Sequence, residues 1–295
     1  MIAIPESERA AGQLHLRYED VAQDGRLLLS TLPVALGTLW RAITIPPELR
    51  AAMREKGILP ILTRFELEAG PGPFPVEAPI EVEGGYRLAH AVGDDGHVTR
   101  LFLDMDARLS GKKGRTNLPP PDDHGVVAVA GTLAVEHVFT RPFAPPGERK
   151  VLALELAGGS VVPSAKREWQ SPESASGPPA GAKAVDDSFV ADPVIVALGV
   201  MHTDSNQHVN SLVYPRLFEE ASLRRFAALG RSTAVLARSL VVAYRRPSFA
   251  GESLRFFVRT FEDDGKLVTT GLVFGAADDT SDPRRARVFL RLTFE

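Results

Sequence analysis

Cysteine is absent from this chain of 295 residues. The protein therefore has no disulfide, no thiolate metal ligand and no cysteine nucleophile. Basic residues are not in excess, since the formal net charge is −3, and this gives no electrostatic reason to expect nucleic acid as a partner. The sequence has no run of about 18 apolar residues, so we predict no membrane span. The first residues lack the basic leader and apolar core of a secretory signal. We expect a cytoplasmic protein that binds neither nucleic acid nor membrane.

Metal-ligand spacing is missing as well. The histidines outside the motif described below do not stand at distances typical of a metal site; they are His15, His90, His97, His124, His137 and His202. We therefore predict no metal and no other cofactor. What is present is ample apolar sequence, 44% of the residues, in a chain long enough for two domains.

The clearest domain boundary runs from Arg167 to Asp187. This stretch is rich in Pro, Gly, Ser and Ala and has no hydrophobic periodicity, which is typical of a linker. We predict an N-terminal unit over residues 1–166, a linker over 167–187 and a C-terminal unit over 188–295.

The C-terminal unit has a simple order of predicted elements. An apolar strand covers Pro193 to Met201, and helical spacing covers Tyr214 to Leu229, with Pro215 in the first turn. Four strands follow, at Ser239–Arg246, Ser253–Phe261, Lys266–Phe274 and Arg285–Phe294. We expect these four strands to form consecutive hairpins in an antiparallel sheet, with the single helix on one face.

The N-terminal unit repeats this order with more noise. Helical stretches are predicted at Leu32–Arg41 and Glu48–Lys56, and strands at Ile58–Ala69, Glu77–Val92, Thr99–Leu109 and Val126–Thr140. Aligning Asp24 with Asp204 predicts two diverged copies of one unit. In this alignment Arg26 stands at the position of Asn206 and Leu28 at that of His208, so the first copy should be catalytically silent.

A polar string lies between the apolar strand and the helix of the C-terminal unit. It reads Asp204-Ser205-Asn206-Gln207-His208-Val209-Asn210. His208 can exchange a proton near neutral pH, Asn206 can orient water or donate to an oxyanion, and Asp204 can fix the turn. The alternative is structural, with Asp204 and Asn206 capping a turn and Asn210 capping the helix, but that alternative leaves His208 unexplained.

This string, with Tyr214, Glu220 and Tyr244-Arg245-Arg246 after it, resembles the catalytic half of acyl-acyl-carrier-protein thioesterases of the plant and bacterial type. The resemblance implies an α+β fold with two hotdog units in one chain, each an antiparallel sheet wrapped around a central helix. It also implies hydrolysis of an acyl-carrier-protein or acyl-CoA thioester to a carboxylic acid and a thiol. The implied catalytic residues are Asp204, Asn206, His208 and Glu220, and the implied substrate-binding residues are Asn210, Ser211, Tyr214, Arg245 and Arg246.

The chain departs from this family at one position. In the plant enzymes an acidic or similarly reactive residue follows the Tyr-Arg-Arg sequence, whereas here Pro247 does. Either Glu220, Glu219 or Asp204 supplies the carboxylate, or the chemistry is weakened or absent. Glu220 also stands four positions before Arg224, where a solvated ion pair explains it equally well.

Two other functions stay open at this point. An acyl-thioester hydratase or dehydratase would resemble Asp-x-Asn-Pro-x-His, with one more residue before the histidine than this chain has. A non-catalytic acyl-thioester-binding hotdog protein would keep the pocket without the chemistry. Because a fused pair already satisfies the dimer that single hotdog units need, we expect a monomer (a pseudo-dimer) or, failing that, a homodimer.

Overall fold

A computed structural model describes residues 3–43, 45–117, 119–156 and 159–295. The chain divides into two compact units. The first comprises Met1–Leu27, Thr31–Thr63 and Gly70–Gln170, and the second comprises Leu28–Ser30, Arg64–Ala69 and Ser171–Glu295. No helix within the described ranges is long and apolar enough to cross a membrane.

The first unit is built on long antiparallel strands. Its elements are β1 (Arg9–Leu14), α1 (Val34–Ala42), α2 (Pro47–Glu55), β2 (Leu59–Ala69, which continues into the second unit), β3 (Ile80–Val92), β4 (Val98–Lys112), β5 (Val127–Thr140), β6 (Leu154–Leu156), β7 (Gly159–Val161) and β8 (Ala165–Lys166). The strand order is β1-β3-β4-β5-β2, with β8 parallel to β3. Strands β6 and β7 form a separate hairpin.

Helix α1 lies on this sheet and packs against β1, β3 and β4. The close approach depends on Gly12, because a Cβ there would collide with the Cγ2 atom of Thr38. Ala35 and Leu39 are fully buried on the inner face of the helix. The apolar spacing of the short helix thus provides the core contact of the first unit.

The second unit has one helix and six strands of its own. They are β9 (Lys183–Ala184), β10 (Val190–Ala197), α3 (Val213–Ala228), β11 (Ala237–Tyr244), β12 (Ser253–Asp263), β13 (Lys266–Gly275) and β14 (Val288–Phe294). The strand order is β2-β11-β14-β13-β12-β10, and β9 pairs with β12. Phe218 of α3 lies over Gly271 of β13, where any side chain would collide with the aromatic ring.

Most predicted elements agree with the structure to within three residues at each end, but two predictions are wrong. Strand β10 ends at Ala197, and Val200–His202 form a one-turn 3-10 helix instead of continuing the strand. The four C-terminal strands are also not all consecutive hairpins. Strand β11 pairs with β14 and β2, so both of its edges are occupied and β12 cannot lie beside it.

The two units share one topology. The strand order of the first unit is β1-β3-β4-β5-β2. When its strands β1 to β5 are matched in chain order with β10 to β14, the second unit has the same order, β10-β12-β13-β14-β11. In each unit a helix follows the first strand and packs on the sheet. The two units therefore have the same strand connectivity, and the predicted pair of hotdog copies stays a prediction.

The stretch from Arg167 to Asp187 contains ordered contacts. Arg167 donates to Asp104 (2.6 Å) and contacts Glu136 (2.9 Å) within the first unit. In the second unit Pro172–Ser176 form a 3-10 helix, and Ala175 is fully buried against Phe274 and Phe289. The predicted domain limits stay a prediction, but this segment packs through specific side chains as well as connecting the units.

Candidate active site

The polar string forms a tight turn in the second unit, between β10 and α3. The Asp204 N–H donates to the His208 carbonyl (3.1 Å), the Gln207 N–H donates to the Asp204 carbonyl (3.0 Å), and Thr203 pairs with Val209. Asp204 also accepts from the Asn206 N–H through Oδ1 (2.8 Å). Asp204 therefore has the turn-forming role that the structural alternative gave it.

Gln207 occupies the left-handed region of backbone space, with φ of 65°. This conformation is unfavourable for a residue with a Cβ. It turns the chain sharply between Asn206 and His208. The exposed side-chain amide of Asn206 has no hydrogen-bond partner among the described residues. The amide is thus free to meet a ligand.

His208 is half-buried, and its orientation fixes its chemistry. The Nδ1 atom lies 3.2 Å from the Val209 carbonyl oxygen. Because a carbonyl only accepts hydrogen bonds, the neutral ring carries its proton on Nδ1. The Nε2 atom is then the basic nitrogen, as a proton acceptor in catalysis requires.

Asn210 lies three residues before α3 begins and does not cap the helix as the structural alternative expected, because the N-cap is Leu212. Its Oδ1 accepts from the Leu212 N–H (2.9 Å), its carbonyl accepts from the Val213 N–H (3.0 Å), and its Nδ2 lies 3.3 Å from Asp204 Oδ2. Pro215, in the first turn of the helix, has no N–H to offer. Few free N–H groups therefore remain at the start of the helix.

Two tyrosines hydrogen-bond to residues next to the turn. The Tyr214 hydroxyl accepts from the Ser248 N–H (3.0 Å), and the Tyr244 hydroxyl donates to the Ser211 carbonyl (2.9 Å). The rings meet edge to face at 6.0 Å. Burial raises the pKa of Tyr214, so its hydroxyl stays protonated. Ser211 is thus bonded to Tyr244 and Tyr214 to Ser248, and the predicted role of Ser211 and Tyr214 in substrate binding stays a prediction.

Both predicted arginines lie at the exposed end of β11 and have acidic neighbours in the second unit. Arg245 donates to Glu173 (2.5 Å), and Arg246 donates to the Arg285 carbonyl (2.7 Å) and lies 3.8 Å from Asp278. Their predicted role in substrate binding stays a prediction. These contacts alone explain why arginine is found at both positions.

The carboxylates of α3 differ from each other. Glu220 is exposed and lies 3.9 Å from Arg224, as the ion-pair interpretation expects. Glu219 is partly buried; burial raises the pKa of its carboxyl group, and the Ala237 N–H donates to it. The predicted catalytic role of Glu220 stays a prediction. Pro247 is exposed and offers no proton-transfer group.

A second turn of the same shape lies in the first unit. The Ala22 N–H donates to the Arg26 carbonyl (2.8 Å), the Gly25 N–H donates to the Ala22 carbonyl (2.9 Å), and Val21 pairs with Leu27. Gly25 has φ of 87°. This geometry matches Gly25 with Gln207, Arg26 with His208 and Asp24 with Asn206.

The alignment of Asp24 with Asp204 is therefore wrong by two residues. The left-handed position fixes the register of each turn, and the aspartates fall at different places in it. Ala22 stands where the second unit has Asp204. The first turn lacks the histidine in either register.

Two residues that contact the turn or its support have no signal in the sequence. Ser248, fully buried, accepts from the Val209 N–H through its carbonyl (2.8 Å). Arg287 donates to Ser248 Oγ (3.1 Å). A serine in a loop and an arginine in an alternating strand pattern are ordinary surface residues until the fold is known. Among the described residues, no group of three or more potential ligands could hold a metal ion.

The architecture is an α+β hotdog fold of the kind found in thioesterases. Similar structures include a protein described as an oleoyl thioesterase from Lactobacillus plantarum (TM-score 0.61, 11% identity, covering 98% of this chain and 97% of that one). An acyl-ACP thioesterase from Bacteroides thetaiotaomicron gives a TM-score of 0.56 at 16% identity, covering 98% of this chain and 99% of that one. The 12:0-ACP thioesterase from Umbellularia californica gives 0.59 at 12% identity, covering 97% and 94%.

These likenesses confirm the predicted resemblance at the level of the fold. No protein-family model matches the chain, and no curated protein matches it in sequence. At 11–16% identity, the fold is what the solved structures share with this chain.

Proposed function

We propose that the protein is an acyl thioesterase that hydrolyses an acyl-carrier-protein or acyl-CoA thioester to a carboxylic acid and a thiol. The observation that carries the proposal is the turn at 203–209, where the Nε2 atom of His208 and the side-chain amide of Asn206 make no hydrogen bond to any residue that the structure describes. The solved thioesterases of the same fold support this reaction class.

The proposed chemistry uses His208 as general base. Its Nε2 atom takes a proton from a water molecule, and the water oxygen attacks the thioester carbonyl carbon. The Asn206 amide donates to the oxyanion that forms. When the carbon–sulfur bond breaks, His208 returns the proton to the departing thiolate. Asp204 keeps the turn in this geometry through its bond to the Asn206 N–H (2.8 Å).

We also propose that each unit is a hotdog unit and that the second alone is catalytic. The shared strand order supports the first part of this proposal. The replacement of histidine by Arg26 in the matching turn supports the second, because an arginine side chain keeps its proton at any physiological pH and cannot act as a base.

The test is thiol release from a panel of acyl-CoA and acyl-carrier-protein thioesters, from short to long acyl chains. We compare wild type with His208→Ala and with His202→Ala as the matched control, since His202 lies six residues away and accepts from the Gly199 N–H. We expect His208→Ala to lose at least a hundredfold in kcat and His202→Ala to stay within about threefold of wild type.

Three results would contradict the proposal. No thiol release from any thioester by wild type, together with measurable thioester binding, would favour the non-catalytic binding protein and make Pro247 the reason. Hydration of an unsaturated acyl thioester without thiol release would favour the hydratase. Equal loss in both histidine variants would show a structural role for the turn.

A further inference from the structure

Ser248 joins three parts of the second unit. Its carbonyl accepts from the Val209 N–H next to His208 (2.8 Å), its N–H donates to the Tyr214 hydroxyl at the start of α3 (3.0 Å), and its Oγ accepts from Arg287 Nη1 (3.1 Å). The residue is fully buried. Any movement of Ser248 would therefore be transmitted to the His208 turn and to the helix start.

Arg287 is held by hydrogen bonds to two carboxylates in addition to its bond to Ser248. It donates to both carboxylate oxygens of Asp278 (2.7 and 3.1 Å) and to Glu252 (2.6 Å). Its side chain is 13% exposed. The Asp278 pKa falls to about 2 because Arg287 donates to it. The carboxylate of Asp278 is therefore ionised at neutral pH and holds the guanidinium in place.

Gly275 makes room for this guanidinium. A Cβ at residue 275 would collide with Arg287 Nη2, and the Gly275 N–H also donates to Asp278 Oδ2 (2.9 Å). The end of β13 thus leaves space for the Arg287 guanidinium, which donates there to Asp278 and Glu252. A side chain at 275 would displace the guanidinium and leave the catalytic turn itself unaltered in sequence.

We propose that Arg287 is a positioning residue for His208 and acts through Ser248, which holds the backbone of the turn. The inference rests on the proposed thioesterase function. The segment after Tyr244-Arg245-Arg246 then has a role that is compatible with Pro247. It orients the base through backbone and hydroxyl groups and supplies no acid.

The test compares kcat and KM for thiol release, with melting temperature measured on every variant. The variants are Arg287→Met, Arg287→Lys, Ser248→Ala and Gly275→Ala, and the control is Arg284→Met, because Arg284 is exposed and pairs with Asp282 at the surface. Ser248→Ala keeps both backbone hydrogen bonds and removes only the Oγ contact. It therefore isolates the link between Arg287 and the turn.

We expect Arg287→Met to lower kcat about tenfold or more, with KM within twofold of wild type, because a displaced base affects the reaction step more than binding. Ser248→Ala and Gly275→Ala should lower kcat in the same way by a smaller factor. Arg287→Lys should recover part of the loss by restoring the charge, and Arg284→Met should match wild type.

Turnover by wild type with unchanged kcat in Ser248→Ala and Gly275→Ala would overturn this inference and leave the thioesterase proposal intact. The same holds if KM rises as much as kcat falls, which would indicate a binding role. No turnover by wild type would overturn both. If Arg287→Met does not fold, Ser248→Ala and Gly275→Ala decide the question.

Discussion

The turns at residues 21–27 and 203–209 have the same backbone hydrogen bonds and different side chains. In each turn the N–H of the second residue donates to the carbonyl of the sixth, and one residue lies in the left-handed region. In the first turn that residue is Gly25 and the residue after it is Arg26. In the second they are Gln207 and His208. Backbone geometry is therefore shared by the two units, and the candidate catalytic side chains occur in one of them.

The comparison also shows where strain is accepted. Glycine adopts a positive φ without cost, and Gly25 makes the first turn in this way. The second turn has glutamine in the same conformation, which costs on the order of 1 kcal/mol. Strained residues of this kind cluster at functional sites. The strain thus lies in the same turn as His208 and Asn206.

The largest expected effect is a loss of activity on changing Asn206 in the second turn. Replacing Asn206 by Ala removes an amide that makes no hydrogen bond to any described residue, while the N–H that donates to Asp204 remains. We expect kcat for thiol release to fall by about 10²–10³, as for loss of an oxyanion donor, with an unchanged melting temperature. The matched control is Ser205→Ala in the same exposed turn. A loss of stability in Asn206→Ala as large as its loss of activity would give Asn206 a structural role.

The next effect is a loss of stability at acidic pH that arises from His137 in the first unit. His137 in the first unit is buried beside Trp40, and burial lowers its pKa to about 4. Between pH 6.5 and 4 the unfolded chain binds a proton at this histidine and the folded chain does not. The free energy of unfolding should therefore fall by about 3 kcal/mol as pH drops across that window, and this contribution should stay constant below pH 4.

Urea unfolding at several pH values measures this effect, with His137→Gln compared against wild type and against His97→Gln at an exposed histidine. The slope that His137 contributes should vanish in His137→Gln and persist in the control. Parallel pH curves for all three proteins would show that His137 is not the cause.

A smaller effect tests the left-handed position of the first turn. A Cβ at residue 25 would lie 2.5 Å from the Pro73 Cβ, and φ is 87° there. We expect Gly25→Ala to lower the free energy of unfolding by about 2 kcal/mol. Gln207→Ala, which keeps a Cβ in the matching position of the second turn, should change it by less than about 0.5 kcal/mol. Equal effects in chemical unfolding would refute the equivalence of the turns.

The smallest effect has the opposite sign. Gln207→Gly should relieve the strain at φ of 65° and raise the free energy of unfolding by about 0.5–1 kcal/mol. Thermal unfolding in the same buffer measures it. A lower melting temperature would mean that contacts of the glutamine side chain outweigh the backbone strain.

Strands with clear alternation and the one long helix could be predicted from the sequence, because both patterns follow from which faces are buried. Strand order could not, since the position of β11 between β14 and β2 depends on distant pairing. The residues of the candidate turn could also be predicted, because they are consecutive.

The support of the turn and the register of the repeat could not be predicted. Ser248 and Arg287 reach the turn and its support from other loops and strands, and nothing in their local sequence indicates this. The sequence alone favours an alignment of Asp24 with Asp204, whereas the structure aligns Gly25 with Gln207. A backbone angle, which the sequence reveals only indirectly, decides that register.

The central claim is that the chemistry belongs to the second turn and that the matching first turn is silent. The most direct measurement is thiol release by wild type, His208→Ala and Arg26→Ala on one acyl thioester, with melting temperatures recorded in parallel. We expect at least a hundredfold loss in His208→Ala and activity within about threefold of wild type in Arg26→Ala. Full activity in His208→Ala, or an equal loss in both folded variants, would contradict it.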